Sequence, residues 1–417
     1  MALDRSQCEI SDVPDFENHV KLVIQRIRDA MAEMFVSVGA DPLNPQDVAR
    51  RFGLNRNLTW KISKVIREND PSVSIPNMPG RSGLDIFIKR FEKAGASAES
   101  VASVQTALTE FDQMVNVHSG DRETLEMMLG GLTRSGDDQQ QLFEMQRKLS
   151  FRGNSATWGV QARVQIAAHF IAPSEEPEML DVAIVSGLVD FRRLRRDVPW
   201  AIASLRAIND DGSLKSPETI EALDPNFSGP NTPALMGKFC SQPIPELRVA
   251  PGSGGVKRFE LAEGPVGNTA VVTCVTGWCH RRTVSRYRTD ANSLGELFVS
   301  LSTPVGLLIH DMFVHRDLTE AMTPTLSLYG QLPGGPIYPL AGRERGLLPA
   351  PEGIIHLGGE PPNVVTPEVP RYRHLVRAVF DRLGRKAEHF HGFRFKMRYP
   401  PIPALGVFRY ELPVKTS

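Results

Sequence analysis

A dense group of cationic side chains lies between residues 48 and 67, and no acidic residue interrupts it. Cations at this density can neutralise phosphate groups. Arginine and asparagine can also form paired hydrogen bonds with the edges of guanine and adenine. The residues of this segment that could do such chemistry are Arg50, Arg51, Asn55, Arg56, Asn57, Trp60, Lys61, Lys64 and Arg67.

The spacing around these residues predicts two short helices joined by a tight turn. Asn44 can cap the first helix, and Pro45 suits its first position because the missing N–H would have no partner there. Gly53 supplies a left-handed residue that ends this helix, and Asn55 can cap the second. Each helix then carries an apolar stripe that we expect to face inward. The stripes are Val48, Ala49 and Phe52 on the first helix, and Leu58, Ile62, Val65 and Ile66 on the second.

Residues 44–67 resemble the helix-turn-helix of bacterial transcription regulators. The spacing from Ala49 to Gly53 matches that family, whereas Thr59 stands where the family usually has an aliphatic residue. The resemblance implies that the second helix enters the major groove of double-stranded DNA, with Arg56 and Asn57 against base edges. Regulators of this kind usually bind as homodimers to half-sites about 34 Å apart. The alternative interpretation is a helical hairpin within an ordinary core, with its charges as a solvated face.

The composition limits the classes of protein to consider. The chain has 417 residues, enough for two or three domains, and 48 basic and 48 acidic residues give no net charge. Any nucleic-acid contact must therefore depend on local charge. Four scattered cysteines, a start unlike a secretory signal and the lack of an apolar run near ~20 residues predict a cytoplasmic protein without a membrane partner.

The periodicity predicts an α+β fold in three parts. Residues 1–78 are expected to form an all-α helix-turn-helix unit, residues 79–150 a helical connector or dimerisation region, and residues 151–417 a β-rich α+β domain for ligand sensing or assembly. The predicted helices are residues 16–36, 97–115, 123–132, 137–149, 306–322 and 372–383. The predicted strands are residues 158–171, 180–189, 200–208, 260–279, 297–301 and 393–399.

The last predicted strand separates an apolar face from a basic face. Arg394, Lys396 and Arg398 alternate with aromatic and aliphatic residues, so the basic side chains share one side. We favour a half-buried strand with a solvated face. The alternative is a basic patch for an anionic ligand or a nucleic-acid backbone.

Other groupings of reactive residues lack partners at the required spacing. The run from His315 to Leu318 copies part of a kinase catalytic loop, but Met322 stands where that loop needs asparagine. Cys274 and Cys279 have no matching second pair for zinc, and His389 and His391 have no third ligand at recognisable spacing. The sequence therefore predicts no catalytic site, metal or cofactor.

These observations favour a sequence-specific DNA-binding transcription regulator that forms a homodimer and responds to a small-molecule effector. Two alternatives stay open. One is an enzyme or small-molecule-binding protein with its site in the C-terminal half. The other is a structural or assembly protein whose helices contact other subunits.

Overall fold

The computed structural model describes residues 15–132, 137–205, 221–229, 232–251, 257–290, 292–331 and 343–415. Helices dominate the N-terminal part of these residues and strands dominate the rest, which confirms the predicted α+β class. The chain divides into two compact units, Met1–Gln139 and Gln140–Ser417. The predicted boundary after residue 78 lies inside the first unit, and the predicted boundary after residue 150 lies inside a helix.

The described helices follow the chain order. They are α1 Phe16–Ser37, α2 Pro45–Phe52, α3 Arg56–Arg67, α4 Pro71–Asn77, α5 Arg81–Lys93, α6 Ala98–His118, α7 Arg122–Leu132, α8 Asp137–Trp158 and α9 Tyr372–Leu383. The predicted helices 16–36, 97–115, 123–132 and 372–383 are thus confirmed, with ends that differ by up to three residues. Asp15 caps α1 and Ser97 caps α6 through side-chain hydrogen bonds to backbone N–H groups.

One hydrophobic core joins helices α1 to α7 of the first unit. Its aromatic part links α1, α2 and α5 through Phe35, Phe52, Phe87 and Phe91. The rings of Phe52 and Phe91 are stacked with centroids 4.3 Å apart, and Phe91 lies 4.8 Å from Phe35 and 4.5 Å from Phe87. Because these rings belong to three helices, α5 is packed into the same core as α2.

The described residues of the second unit form three sheets. Its strands are β1 Val160–Pro173, β2 Met179–Arg193, β3 Trp200–Leu205, β4 Glu221–Ala222, β5 Leu247–Pro251, β6 Lys257–Leu261, β7 Val272–Ser285, β8 Leu294–Leu301, β9 Val305–His315, β10 Thr325–Gly330, β11 Leu347–Leu348, β12 Ile355–Gly359, β13 Phe390–Arg398 and β14 Ala404–Glu411. The seven-stranded sheet has the order β12-β13-β9-β1-β2-β7-β4, the four-stranded sheet β11-β10-β14-β8, and the three-stranded sheet β3-β6-β5.

The seven-stranded sheet is covered on both faces. Alternate residues of β9 contribute to two cores, so Met312 packs with Val299 and Phe408 of the four-stranded sheet while Phe313 packs with Leu375 of α9. Strands β1 and β9 pair in parallel, and the other pairs of this sheet are antiparallel. Burial on both faces explains why β9 reads as a nearly continuous apolar run.

Three predicted elements differ from the structure. Residues 260–279, predicted as strand, are divided between β6, which ends at Leu261, and β7, which begins at Val272. Residues 306–322, predicted as a helix, form β9 and a short 3₁₀ turn at Thr319–Met322, because an apolar run covered on both faces carries no alternation that marks a strand. Helix α8 continues to Trp158 instead of ending near residue 149, and β1 begins at Val160. The end of the predicted strand 200–208 lies outside the described residues after residue 205.

In the described part of the chain, no helix combines the length and apolar character needed to cross a membrane.

Candidate nucleic-acid interface

The helix pair α2–α3 forms as its sequence predicts. Asn44 Oδ1 accepts a hydrogen bond from the backbone N–H of Asp47, and Pro45 occupies the first turn. Gly53 ends α2 in the left-handed region, with φ of 61°. Asn55 Oδ1 then accepts from the N–H of Asn57 at 2.8 Å, so the Asn55 side chain is used as the cap of α3. The predicted caps and turn are confirmed.

The inner face of the pair differs slightly from the predicted stripe. Val48, Ala49 and Phe52 of α2 are buried as predicted, and so are Ile62 and Val65 of α3. The other inward positions of α3 belong to Thr59 and Ser63, whereas Leu58 and Ile66 are half-buried.

The buried Thr59 satisfies its own hydroxyl group. Its Oγ1 donates to the carbonyl oxygen of Arg56 at 3.0 Å, within the same helix. The family that residues 44–67 resemble usually has an aliphatic side chain at this position. A threonine can replace it here without leaving a polar group unpaired.

The outer face of α3 is cationic and carries no acid. Arg56, Asn57, Trp60 and Arg67 are exposed, and Lys61 and Lys64 are half-buried. The indole of Trp60 is 50 % exposed, and Lys64 Nζ lies 5.2 Å from the centre of its ring. This contact places an ammonium group and an aromatic plane side by side, an arrangement that can contact phosphate and apolar parts of one ligand.

Arg56 occupies an electrostatically unfavourable position. It is the first residue of α3, where the positive end of the helix dipole disfavours a cation, and the first turn of α3 has no acid. Arg81 begins α5 in the same way, but its guanidinium lies 2.8 Å from Asp112 and 3.7 Å from Asp85. No ion pair of this kind compensates Arg56 within the described residues.

Two of the predicted cations are engaged inside the first unit. Arg51 donates to the carbonyl oxygens of Gly39 at 2.7 Å and Val38 at 2.6 Å, at the C-terminal end of α1. Arg50 forms an exposed ion pair of 2.6 Å with Asp47. The cations with no such partner therefore lie on α3 rather than on α2.

Contacts from α1 and α4 hold the C-terminal end of α3. Arg28 of α1 donates from Nε to the carbonyl oxygen of Ile66 at 3.1 Å. Ser74 of α4 donates from Oγ to the carbonyl oxygen of Glu68 at 3.0 Å. These contacts satisfy carbonyl groups that the end of a helix leaves without partners, and they hold the C-terminal end of α3 in place.

Two of the three basic residues of β13, Arg394 and Lys396, are neutralised by close carboxylates, whereas Arg398 is exposed as predicted. Arg394 is buried and donates from Nε and Nη2 to both carboxylate oxygens of Asp311, each at 2.8 Å. Tyr372 of α9 donates to the same carboxylate at 2.8 Å. Burial raises the pKa of Asp311, and the hydrogen bonds from Arg394 and Tyr372 offset part of that rise. The predicted solvated face is therefore wrong at Arg394, where α9 covers the sheet.

Lys396 is the next basic residue on the same face, and it is also paired. Its Nζ lies 2.6 Å from Glu368 Oε1. Burial would raise the pKa of Glu368, but hydrogen bonds from Lys396 and Thr366 lower it to about 2. Arg394 and Lys396 are thus occupied by carboxylates of the chain itself, and Arg398, at the end of β13, keeps the predicted solvated position.

In the residues that the structure describes, the histidine and cysteine groupings do not supply three ligands for one metal ion. His389 lies in a 3₁₀ turn before β13, so it does not share a strand with His391. His315 ends β9, where its Nδ1 accepts from the N–H of Asp317 at 3.3 Å in a turn. Over the described ranges, no three side chains of His, Cys, Asp or Glu lie close enough to hold a metal ion.

Comparison with known proteins adds no relative to these observations. No family model, no curated protein and no solved structure matches the chain.

Proposed function

We propose that this protein is a sequence-specific DNA-binding transcription regulator that reads the major groove with α3. The observation that carries the proposal is the outer face of α3, which presents cations, an amide and an exposed indole with no acid among them. Helix N-termini of this geometry contact base edges in related docking arrangements. In this proposal Arg56 and Asn57 read bases, and Lys61, Lys64 and Arg67 bind phosphates.

The cost of placing Arg56 at the start of α3 supports this assignment. A cation at that end destabilises the helix, and no ion pair within the described residues recovers the loss. A bound phosphate or guanine would supply the missing negative potential. An ordinary solvated face needs no such arrangement, because either sign of charge would serve it.

The remaining parts of the proposal concern assembly and regulation. A homodimer would present two α3 helices to half-sites about 34 Å apart. The second unit would sense a small-molecule effector or mediate assembly, and double-stranded DNA would be met in the cytoplasm. These parts depend on the resemblance of residues 44–67 to transcription regulators.

The test is fluorescence anisotropy of the whole chain with a random-sequence DNA duplex across a salt series. We expect binding at low salt, with log K falling linearly against log salt because phosphate contacts release counterions. Selection of a preferred site from a random pool would then test sequence specificity. A folded protein that fails to bind duplex DNA at low salt would refute the proposal.

A further inference from the structure

Helix α5 crosses the start of α3. At Gly83 of α5, a Cβ atom would lie 3.3 Å from Cδ1 of Leu58, in the first turn of α3. Two turns further along α5, the Nη1 atom of Arg90 lies 3.7 Å from the place where a Cβ atom on Gly53 would be. Arg90 therefore lies beside the turn that leads into α3, although it follows that turn by 37 positions in the sequence.

The position of Arg90 is fixed by its neighbour in the chain. Phe91 is fully buried, and its ring stacks on Phe52, the last residue of α2. This contact holds α5 against the end of α2. Arg90 therefore stays next to Gly53 even though its own side chain is exposed.

Arg90 also differs from the cations that precede the turn. Arg50 is paired with Asp47, and Arg51 is bonded to carbonyl oxygens of α1. Within the described part of the chain, neither an ion pair nor a side-chain hydrogen bond engages Arg90. A ligand can therefore bind its guanidinium without first breaking an internal contact.

We infer that Arg90 binds a backbone phosphate of DNA next to the end of α3 that enters the groove. The inference rests on the proposed function and extends it, because Arg90 lies outside the segment that resembles known regulators. A guanidinium beside the entering end of a recognition helix lies near the strand that borders the groove, and arginine matches phosphate geometry with two parallel donors. Arg90 would then help to set the position of α3 on the duplex without reading a base.

The experiment compares the salt dependence of DNA binding for the whole chain and for Arg90→Ala. We expect the slope of log K against log salt to become shallower by about one. Binding at low salt should weaken by about fivefold for every sequence. The ranking of preferred sites should not change, because no base contact is lost.

The matched control is Lys89→Ala, which removes one charge from the exposed surface of the same helix about 100° away around its axis. We expect a smaller change of slope for this variant, and Arg90→Lys should keep most of the slope of the whole chain. Thermal melting should be the same for all variants. If Arg90→Ala and Lys89→Ala behave alike while the unaltered chain binds DNA, the inference is wrong and the proposed function stands. If the unaltered chain does not bind, both fail.

Discussion

At the scale of single residues, the cations between residues 48 and 67 have different tasks. Arg51 is bonded to two carbonyl oxygens at the end of α1, whereas Arg56 begins α3 without an acid in its first turn. Their sequence positions do not separate these tasks, since both are basic residues in one basic segment. The difference depends on where α1 ends in space, which the local pattern cannot show.

Replacing Arg51 by alanine should affect stability rather than DNA recognition. The change leaves the carbonyl groups of Val38 and Gly39 without their charged donor, and we expect a loss of about 1–2 kcal/mol in the free energy of unfolding. Urea titration measures this loss. Arg50→Ala is the control, because its exposed pair with Asp47 should contribute less than about 0.5 kcal/mol. Equal losses for both variants would contradict the structural role of Arg51.

Two pairs of substitutions on α3 should have different effects on DNA binding. Arg56→Ala and Asn57→Ala should lower the preference for the selected site by about 1–3 kcal/mol each, because the proposed function places these two side chains against base edges. Lys61→Ala and Lys64→Ala should weaken binding to all sequences and reduce its salt dependence. Gel-shift titrations with the selected site and with base-substituted duplexes separate the two effects. No change for either pair would mean that the outer face of α3 is not the binding surface.

At the scale of elements, the sequence predicts structure where the signal is local. Helices α1 and α9 were predictable because apolar residues recur at helical spacing, and α2 and α3 because Asn44, Gly53 and Asn55 mark their ends. Strand β9 was mistaken for a helix because sheet and helix cover it from two sides. Likewise, the position of Arg90 beside Gly53 arises from the packing of α5, and no spacing within residues 44–67 indicates it.

The aromatic contacts make a prediction about which fragment folds. Residues 1–78 contain α1 to α4 but lack Phe91, whose ring contacts both Phe35 and Phe52, and Phe87, whose ring contacts Phe35 and Phe91. Removing even one such buried ring typically lowers the free energy of unfolding by about 3–5 kcal/mol. We therefore expect residues 1–139 to unfold cooperatively and residues 1–78 to show no cooperative transition.

Circular dichroism during thermal melting distinguishes the two fragments. The control is Phe91→Ala in residues 1–139, which keeps every helix but removes the ring that stacks on Phe52. Its melting temperature should fall well below that of the unaltered fragment. A cooperative transition for residues 1–78 would show that α5 is dispensable for the α2–α3 pair.

At the scale of the whole molecule, a pair of buried histidines connects the fold to pH. His169 of β1 and His310 of β9 lie between the seven-stranded and four-stranded sheets, with His310 Nε2 at 3.1 Å from His169 Nδ1. Phe408 of β14 lies 4.7 Å from the His310 ring, and His310 Nδ1 has no hydrogen-bond partner in the described part of the chain. Neither ring can accept a proton there without placing an uncompensated charge in an apolar core.

The second unit should consequently lose stability in mild acid. Burial lowers the pKa of His169 to about 4, and burial together with the nearby His169 lowers the pKa of His310 well below its usual value. The unfolded chain takes up protons near pH 6.5, whereas the folded chain does not. The contribution of the two neutral histidines to the free energy of unfolding is thus complete above pH 6.5 and is lost as the pH falls towards 4. For His169 alone this amounts to about 3 kcal/mol.

The slope of the free energy of unfolding against pH tests the role of the buried histidine pair better than the stability at any one pH does. Urea titrations of the whole chain between pH 7.5 and about 4 should show a steep loss, and a double variant with His169→Phe and His310→Phe should show a shallower one. Glu368 provides an internal reference, because its pKa of about 2 confines its own contribution to more acidic solutions. Both proteins should therefore lose stability again below about pH 4.5. If the double variant keeps the steep loss above that pH, the protons are taken up elsewhere and the buried pair does not control the acid response.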